Sequence, residues 1–253
     1  MSELVVRRVV VAIDSDDRST ASVVRRALSL ATQLEADLEG LFVEDETLLG
    51  MAASDLGRHV SGHPEAESYG ARQLEREWRA VARVARRVFE QEARRATFAV
   101  ARARPEALLE ERLARGGLVV VGWRGRLSSA PRQAPPVQVV VGRGASSERG
   151  LAVARRVAPA GTRLRVWLSP EVPEAFEVGL RASLAGTDEE PGPAREGRIR
   201  VARLPADALA ALRRAMAEEG SEVRVVPADH PLAALLTRRS VRAPLPGMVV
   251  LVR

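Results

Sequence analysis

The residues best suited to chemistry follow a buried apolar run in the first half of the chain. Residues 119–121 lead into Gly122, and Gly125 follows three positions later, with Arg124 and Arg126 beside it. Because glycine has no side chain to block a ligand or to forbid positive φ, such a turn lets backbone N–H groups approach an anion closely. Arginine adds bidentate donors for phosphate. The spacing therefore predicts a phosphate-binding turn.

Strands and helices alternate through the first half. Apolar runs predict strands at residues 7–13, 37–43, 97–103 and 117–123. Helical spacing of apolar residues predicts a helix that ends near Leu34, a long helix over about residues 70–95, and a third that begins at Pro105. A polar stretch, residues 44–69, precedes the long helix. This alternation is typical of an α/β protein with a parallel sheet covered on both faces.

The second half repeats this plan. Residues 137–168 follow the strand, turn, helix and strand order of residues 9–43, with Gly142 in the place of Asp14. Further strands are predicted at 198–204, 222–227 and 243–252, with helices at 206–219 and 232–239. Because residues 186–197 are rich in proline, glycine and charge, we expect a mobile loop there. The repeat predicts two domains, residues 1–134 and 135–253.

Length and composition are typical of a globular chain. With 253 residues and 46% apolar content, the chain is long enough for two cores of ordinary domain size. Its longest apolar runs are far shorter than the roughly 20 residues of a membrane span. The amino terminus lacks the pattern of a secretory signal. We therefore expect a cytoplasmic protein that makes no membrane contact.

The positive charge does not by itself indicate nucleic-acid binding. The net charge is only +6, and the sequence pI of 11.1 is high because every basic side chain is arginine. Over residues 70–95 arginine alternates with glutamate, which favours a solvated helix with ion pairs over a phosphate-binding surface. The absence of lysine excludes a Walker A loop, and the absence of cysteine excludes thiolate chemistry.

Three segments together resemble the universal stress protein family. They are VVVAIDSDDRS at 9–19, LFVED at 41–45 and the GxxG turn at 122–125. The resemblance implies a Rossmann-like α/β fold with mainly parallel sheets of the order 3-2-1-4-5, here as two tandem units. In members that bind ATP, an aspartate at the position of Asp14 contacts adenine. A site of that kind would use Asp14, Val43, Gly122, Arg124, Gly125 and Arg126.

The phosphate-binding part of this family pattern is incomplete. Nine residues after the second glycine, ATP-binding members carry another glycine followed by serine or threonine. Here Pro135 and Pro136 occupy those positions, and proline supplies neither an N–H nor a hydroxyl. Matching APPVQVVV at 134–141 to the family's APxPV and last strand means that the phosphate loop and the next helix were largely deleted. Ser128 and Ser129 remain nearby, and surface-loop residues are the commoner role for such serines.

Two roles stay open for Asp14. At the carboxyl end of a central strand it lies where α/β sheets bind ligands, but it could also cap the following helix. The second copy has Gly142 at this position and no glycine in residues 227–231, after its fourth strand. The second copy is therefore predicted to lack a nucleotide site.

The strand at residues 137–141 is a candidate for two positions, the last strand of the first unit and the first strand of the second. In the family's sheet the first strand is central and the fifth lies at an edge. Loss of the first strand would therefore expose more apolar area than loss of the fifth. We therefore assign the strand to the second unit and predict that the first unit has a truncated last helix and strand. Its open edge should pair with residues 247–252 or with another chain.

Two histidine pairs are weak candidates for metal or acid–base chemistry. His59 and His63 have i, i+4 spacing, but the glycines and proline around them oppose a helix. His230 follows Asp229 directly, yet metal sites usually need three or four ligands. The sequence supports no Ser/His/Asp arrangement.

The preferred hypothesis is a non-catalytic regulatory or interaction module of the universal stress type, with nucleotide binding lost or residual. The alternative is a protein that binds ATP, ADP or AMP at one site in the first half and hydrolyses ATP slowly at most. We expect no metal cofactor and no nucleic-acid partner. Another protein or a second copy, paired through sheet edges, is the expected partner; a tandem chain can also form the dimer-like pairing within itself.

Overall fold

The computed structural model describes residues 6–13, 20–54, 70–93, 96–121, 137–158, 162–185, 199–204, 223–233 and 248–253. Its strands, in chain order, are β1 (Arg8–Ile13), β2 (Asp37–Asp45), β3 (Thr97–Ala103), β4 (Leu118–Val121), β5 (Val137–Val141), β6 (Leu164–Leu168), β7 (Ile199–Arg203), β8 (Val223–Pro227) and β9 (Met248–Val252). Its helices are α1 (Thr20–Gln33), α2 (Glu46–Ala53), α3 (Ala71–Glu92), α4 (Pro105–Ala114), α5 (Ala145–Val157) and α6 (Glu174–Ala185).

The strands form one nine-stranded sheet in the order β3-β2-β1-β4-β9-β8-β5-β6-β7. All neighbouring pairs are parallel except β4 and β9, which run antiparallel. Counted within the second half, the strands follow the order 3-2-1-4-5, and the first half follows 3-2-1-4. The predicted α/β, Rossmann-like fold class is confirmed, with the two sets of strands joined in a single sheet.

The strand at residues 137–141 lies at the centre of the second half. It pairs with β6 on one side and β8 on the other, and all five of its residues are buried. The edge of the first half is covered by β9, where Val120 faces Val250. Both placements agree with the prediction: neighbouring strands pair both edges of a central apolar strand, and helices cover both of its faces.

The two faces of the sheet carry separate apolar cores. Successive residues of a strand point to opposite faces, so Val9 and Val11 contribute to one core and Val10 to the other. Helices α1, α3, α5 and α6 cover the first core, and α4 packs on the second. Because helices cover both faces of the sheet, the strands are continuous apolar runs in the sequence. These runs are what made the strands predictable.

Helix α3 packs its apolar stripe closely against β2 and β3. Its buried residues include Trp78 and Phe89. A Cβ atom at Gly40 in β2 would lie 2.8 Å from the Phe98 ring and 2.9 Å from the Phe89 ring. Glycine is therefore required at this position because two aromatic rings occupy the space of a side chain.

The region after β2 differs from the prediction. Strand β2 extends to Asp45, and α2 follows it in the polar stretch for which no helix was predicted. The Asp45 carboxylate caps α2 by accepting hydrogen bonds from the N–H groups of Thr47 and Leu48, at 2.9 and 3.4 Å. A local cap thus starts a helix that apolar spacing alone did not indicate.

Several predictions fall outside the described residues. They are the loop at 186–197, the helix at 206–219, most of the helix at 232–239 and the domain boundary at 134 and 135. A helical turn does begin at Pro231. In the described part of the chain, no helix has the length and apolarity to cross a bilayer.

Candidate functional site

The sheet contains two positions where an α/β protein commonly binds ligands. Ligands bind outside the carboxyl ends of parallel strands, at the point where the strand order reverses. Here that reversal occurs twice, between β1 and β4 in the first half and between β5 and β8 in the second. We call these places the first and the second switch point.

The first switch point is described only at its base. Ile13 ends β1 and Val121 ends β4. The predicted ligand residues that come next lie outside the described residues, so their placement stays a prediction: Asp14, Gly122, Arg124, Gly125 and Arg126.

Val43 is the one predicted site residue that the structure describes. It is buried in the second core, one position beyond Phe42, which pairs with Ile13 at the end of β1. Its side chain therefore adds an apolar surface close to the end of β1 at Ile13. Its contact with adenine remains a prediction.

The acidic residues that end β2 have structural partners. Glu44 accepts hydrogen bonds from Arg102 at 2.9 and 3.0 Å, and the Arg102 guanidinium also lies 2.9 Å from Glu75. Hydrogen bonds from Arg102 to Glu44 and then to Glu75 raise the pKa of Arg102 by stabilising its charged form. With Asp45 engaged as a helix cap, this edge of the first half is held by charge pairs between β2, β3 and α3.

The second switch point brings together a serine and a histidine. Ser169 follows β6 directly, and His230 lies in the turn after β8. The Ser169 Oγ and His230 Nε2 atoms are 2.6 Å apart. The two residues flank β5 from opposite sides, so the ends of β6 and β8 carry them over the end of the central strand.

The hydrogen bonds of His230 fix its tautomer. Its Nδ1 atom accepts the backbone N–H of Leu232 at 3.1 Å, and an N–H can only donate. The ring proton therefore lies on Nε2, which donates to Ser169 Oγ. A serine nucleophile needs the reverse, an Nε2 that accepts the hydroxyl proton and an Nδ1–H held by a carboxylate. This pair is therefore not arranged to activate Ser169.

Burial favours the neutral form of the His230 ring. It lowers the pKa of His230 below its ordinary value, and the opposing effects of the Glu171 and Asp229 carboxylates are smaller. Both carboxylates belong to exposed residues, where solvent weakens their attraction for a ring proton.

The His230 ring fills space beside the end of β5. A Cβ atom at Gly142 would lie 3.3 Å from His230 Cδ2, and one at Gly144, whose φ is 125°, would lie 3.1 Å from Asp229 Oδ2. The Gly142 N–H donates to Ser147 Oγ at 2.8 Å. The amide that follows the central strand is thus already bonded, and the turn after β8 covers it.

The strand registers show how the two switch points correspond. Phe42 pairs with Ile13, and Leu168 pairs with Val141. Val43 and Ser169 therefore occupy the same place in the two halves, as do Asp14 and Gly142 in the chain just after β1 and β5. The structure thus has the apolar side chain of Val43 in the first half where the second half has the hydroxyl of Ser169.

The Ser169–His230 pair was not predicted from the sequence. Their positions in the sequence could have indicated the pair, because both residues come just after the carboxyl ends of strands that flank β5. Among the described residues, no group of three or more histidine or acidic side chains is placed to hold a metal ion. His59 and His63 lie outside that part of the chain.

Comparisons with known proteins locate this fold. No protein-family model matches the chain, and no curated protein matches it. A universal stress protein from Archaeoglobus fulgidus DSM 4304 superposes with a TM-score of 0.56 at 12% sequence identity, covering 97% of this chain and 96% of that one. The chain has the universal stress protein fold. At this identity the likeness establishes the fold alone.

Two further solved structures are more distantly similar. A functionally unknown protein from Pseudomonas aeruginosa PAO1 has a TM-score of 0.46 at 14% identity, covering 98% of this chain and 92% of that one. A candidate universal stress protein from Pseudomonas aeruginosa UCBPP-PA14 has a TM-score of 0.45 at 13% identity, covering 98% and 93%. We draw nothing further from these two structures.

Proposed function

We propose that this protein is a tandem universal-stress-type protein that acts as a non-catalytic regulatory or interaction module. The fold supports the family, and the recurrence of the 3-2-1-4 strand order in both halves supports the tandem arrangement. In this proposal β9 serves both halves, as the fifth strand of the second and the neighbour of β4 in the first. The module works in the cytoplasm and recognises another protein.

The observation that carries the proposal is the occupied second switch point. The His230 ring lies beside Gly142, and its two nitrogens are bonded to Ser169 and to the Leu232 N–H. A nucleotide would have to displace this turn and leave its buried polar groups unpaired, which costs about 1–3 kcal/mol for each group. Such a position is suited to presenting the chain's own side chains rather than to binding a phosphate.

The first half supports the same conclusion through chain length. Strand β4 ends at Val121 and β5 begins at Val137, so residues 122–136 must contain everything between the two strands. A phosphate loop followed by a full helix and an edge strand does not fit in this span. The position of the expected final glycine and hydroxyl is taken by Pro135 and Pro136.

Calorimetric titration with ATP, ADP and AMP tests the proposal. We expect no binding tighter than the high micromolar range, and no release of phosphate from ATP above the background rate. Low-micromolar binding of any of the three nucleotides would contradict the proposal that the nucleotide site is lost.

The second candidate is an adenine-nucleotide-binding protein with one working site in the first half. The buried position of Val43 next to the end of β1 favours it, since an apolar wall there suits a base. Adenine would lie near Asp14, and phosphates would contact Gly122, Arg124, Gly125 and Arg126.

Nucleotide released by heating the purified protein separates the two candidates. A stoichiometric amount of ATP, ADP or AMP would support the one-site protein, and Asp14→Ala should then abolish it. Asp17→Ala is the matched control, because it removes a carboxylate three residues further along the chain and should leave the bound amount unchanged. No nucleotide in the wild-type protein supports the non-catalytic module.

The outer strands β3 and β7 are the proposed self-association surfaces. Each ends the sheet, and among the described residues each pairs with only one neighbour. Unpaired strand edges are templates for a further strand. Light scattering across a range of protein concentrations measures whether the chain stays monomeric, with the pairing satisfied inside it, or forms a dimer.

A further inference from the structure

The turn after β8 is held to the sheet by the His230 ring. The ring donates from Nε2 to Ser169 Oγ at 2.6 Å and accepts the Leu232 N–H on Nδ1 at 3.1 Å. Its Cδ2 edge packs beside Gly142. One side chain therefore links three segments: the end of β5, the end of β6 and the turn itself.

Only the neutral ring of His230 can accept the Leu232 N–H, whereas a protonated ring can still donate from Nε2 to Ser169 Oγ. A proton taken from solvent binds at Nδ1, because in the neutral tautomer only this ring nitrogen is unprotonated. The new Nδ1–H would point at the Leu232 N–H, so two donors would face each other across a distance that now holds a hydrogen bond. Either the ring turns away or the backbone moves, and Leu232 loses its acceptor in both cases.

We infer that His230 is a proton-operated latch, which holds residues 228–232 over the second switch point when neutral and releases them when protonated. Where the ring turns away, release removes it from beside Gly142 and frees Ser169 Oγ from its donor; where the backbone moves instead, the ring keeps its bond to Ser169. The surface at the second switch point therefore differs between neutral and acidic pH. The inference does not depend on whether the protein binds a nucleotide.

The charged groups around the ring set the direction of the response. Glu171, after β6, and Asp229, in the turn, favour protonation, and the larger effect of burial opposes it. Two cations border the same loop: Arg143, after β5, donates to the Glu171 carbonyl, and Arg203 donates to the carbonyls of Pro170 and Val172. These guanidinium groups hold the loop that carries Ser169 in place while the histidine titrates.

Leu232 gives the latch a fixed end. Its side chain is fully buried in the second core, and the Ala233 N–H donates to the His230 carbonyl at 2.8 Å. Because the imidazole is the acceptor of the Leu232 N–H, loss of that contact exposes this amide to exchange while the Leu232 side chain stays anchored. The Leu232 amide is therefore the direct reporter of the latch.

NMR of the full-length ¹⁵N-labelled chain tests the inference between pH 7.5 and pH 4.5. The chain has only three histidines, and the ring signals missing in His230→Gln identify this one. We expect the Nε2–H tautomer at neutral pH and a titration midpoint below the ordinary histidine value of about 6.5. Protection of the Leu232 amide, corrected for intrinsic exchange, should fall about three- to tenfold through the titration, the range for a typical net hydrogen bond.

His230→Gln is the matched control because glutamine retains an acceptor and a donor but does not titrate. Its Leu232 protection should be the same at both ends of the pH range. If that variant does not fold, Ser169→Ala replaces it: the titration and the pH-dependent loss of protection should persist there.

Three results would overturn the inference. One is an Nδ1–H tautomer at neutral pH. Another is unchanged Leu232 protection while His230 titrates. The third is the same loss of protection in His230→Gln, which would place the response on Glu171 or Asp229 instead.

Discussion

The two halves of the sheet share a strand order but differ at the carboxyl ends of their strands. At the end of β2, Glu44 and Asp45 are engaged in an ion pair and a helix cap. After β6, Ser169 is bonded to His230 from the turn after β8. The apolar strands require only burial on both faces, whereas the residues that follow them are free of that constraint. The fold can therefore be kept while each switch point acquires its own chemistry.

The halves also differ inside the sheet at equivalent register positions. Val10 pairs with Glu39 in the first half, and Gln138 pairs with Arg165 in the second. Glu39 binds Arg8 and Arg112, while Arg165 lies over the Trp167 ring. Next to Gln138, Arg224 is fully buried, and burial lowers its pKa to about 10. Equivalent positions of the two halves therefore carry different buried polar side chains around strands in the same order.

The largest predicted effect concerns the contact between the halves. Val250 is fully buried opposite Val120 where β9 meets β4. Val250→Asp places a carboxylate there without a partner, so we expect a loss of at least about 4 kcal/mol in the free energy of unfolding. Urea unfolding followed by circular dichroism measures it.

Val100→Asp is the control for that change, because Val100 is 44% exposed on the edge strand β3. Its effect should stay within about 0.5 kcal/mol. If Val250→Asp costs less than about 1 kcal/mol, the stability of the two halves does not depend on the β4–β9 contact.

The next largest effect on the free energy of unfolding is expected at Gly40, a glycine that has no counterpart in the second half. Gly40 pairs with Val11, and the equivalent pair in the second half is Val166 with Val139. Gly40→Ala forces a methyl group against two aromatic rings and should cost about 1–3 kcal/mol in unfolding free energy.

Gly50→Ala is the matched control, since a Cβ atom there meets nothing within 4 Å in helix α2. It should raise stability by up to about 1 kcal/mol. Equal stabilisation by both changes would show that the packing of α3 on β2 is looser than the ring distances indicate.

The ion pairs of Glu39 give a smaller effect. Its carboxylate lies 3.0 Å from Arg8 and 3.4 Å from Arg112, and the residue is buried. Glu39→Gln should cost about 1–2 kcal/mol, since the partly exposed arginines limit the loss. Thermal and urea unfolding measure it.

Glu35→Gln serves as the comparison because Glu35 pairs with Arg156 between exposed side chains. Its cost should be about 0–0.5 kcal/mol and should vanish in high salt. A cost at Glu39 that vanishes equally in high salt would assign both pairs to the solvated surface.

The smallest predicted effect is the pH dependence contributed by His230. Because burial lowers the folded-state pKa of His230, the unfolded chain binds its proton more readily. Stability from this residue is complete above about pH 6.5 and falls as the pH decreases towards the folded pKa. Urea unfolding at pH 7.5 and 5.5 should show a smaller decrease in His230→Gln than in the wild type. Equal decreases in the wild type and in His230→Gln would assign the pH dependence of stability to carboxylates.

Most of the strands could be predicted because burial on both faces leaves a direct record in the sequence. Continuous apolar runs located β1, β4, β5 and β9, and comparing the cost of losing a central or an edge strand placed residues 137–141 next to β6 and β8. Helix α2 was missed because it begins with a local carboxylate cap, not with apolar spacing.

The sequence by itself determined the α/β class, the repeated order of strands and helices, and the shortening between β4 and β5, because each depends on residues close together in the chain. Only the tertiary structure decided what fills the second switch point. Ser169 and His230 are 61 residues apart in the sequence, and they meet because parallel strands on either side of β5 end at the same edge of the sheet. The polarity of their hydrogen bond, and with it the role of the histidine, depends on one backbone N–H of the turn.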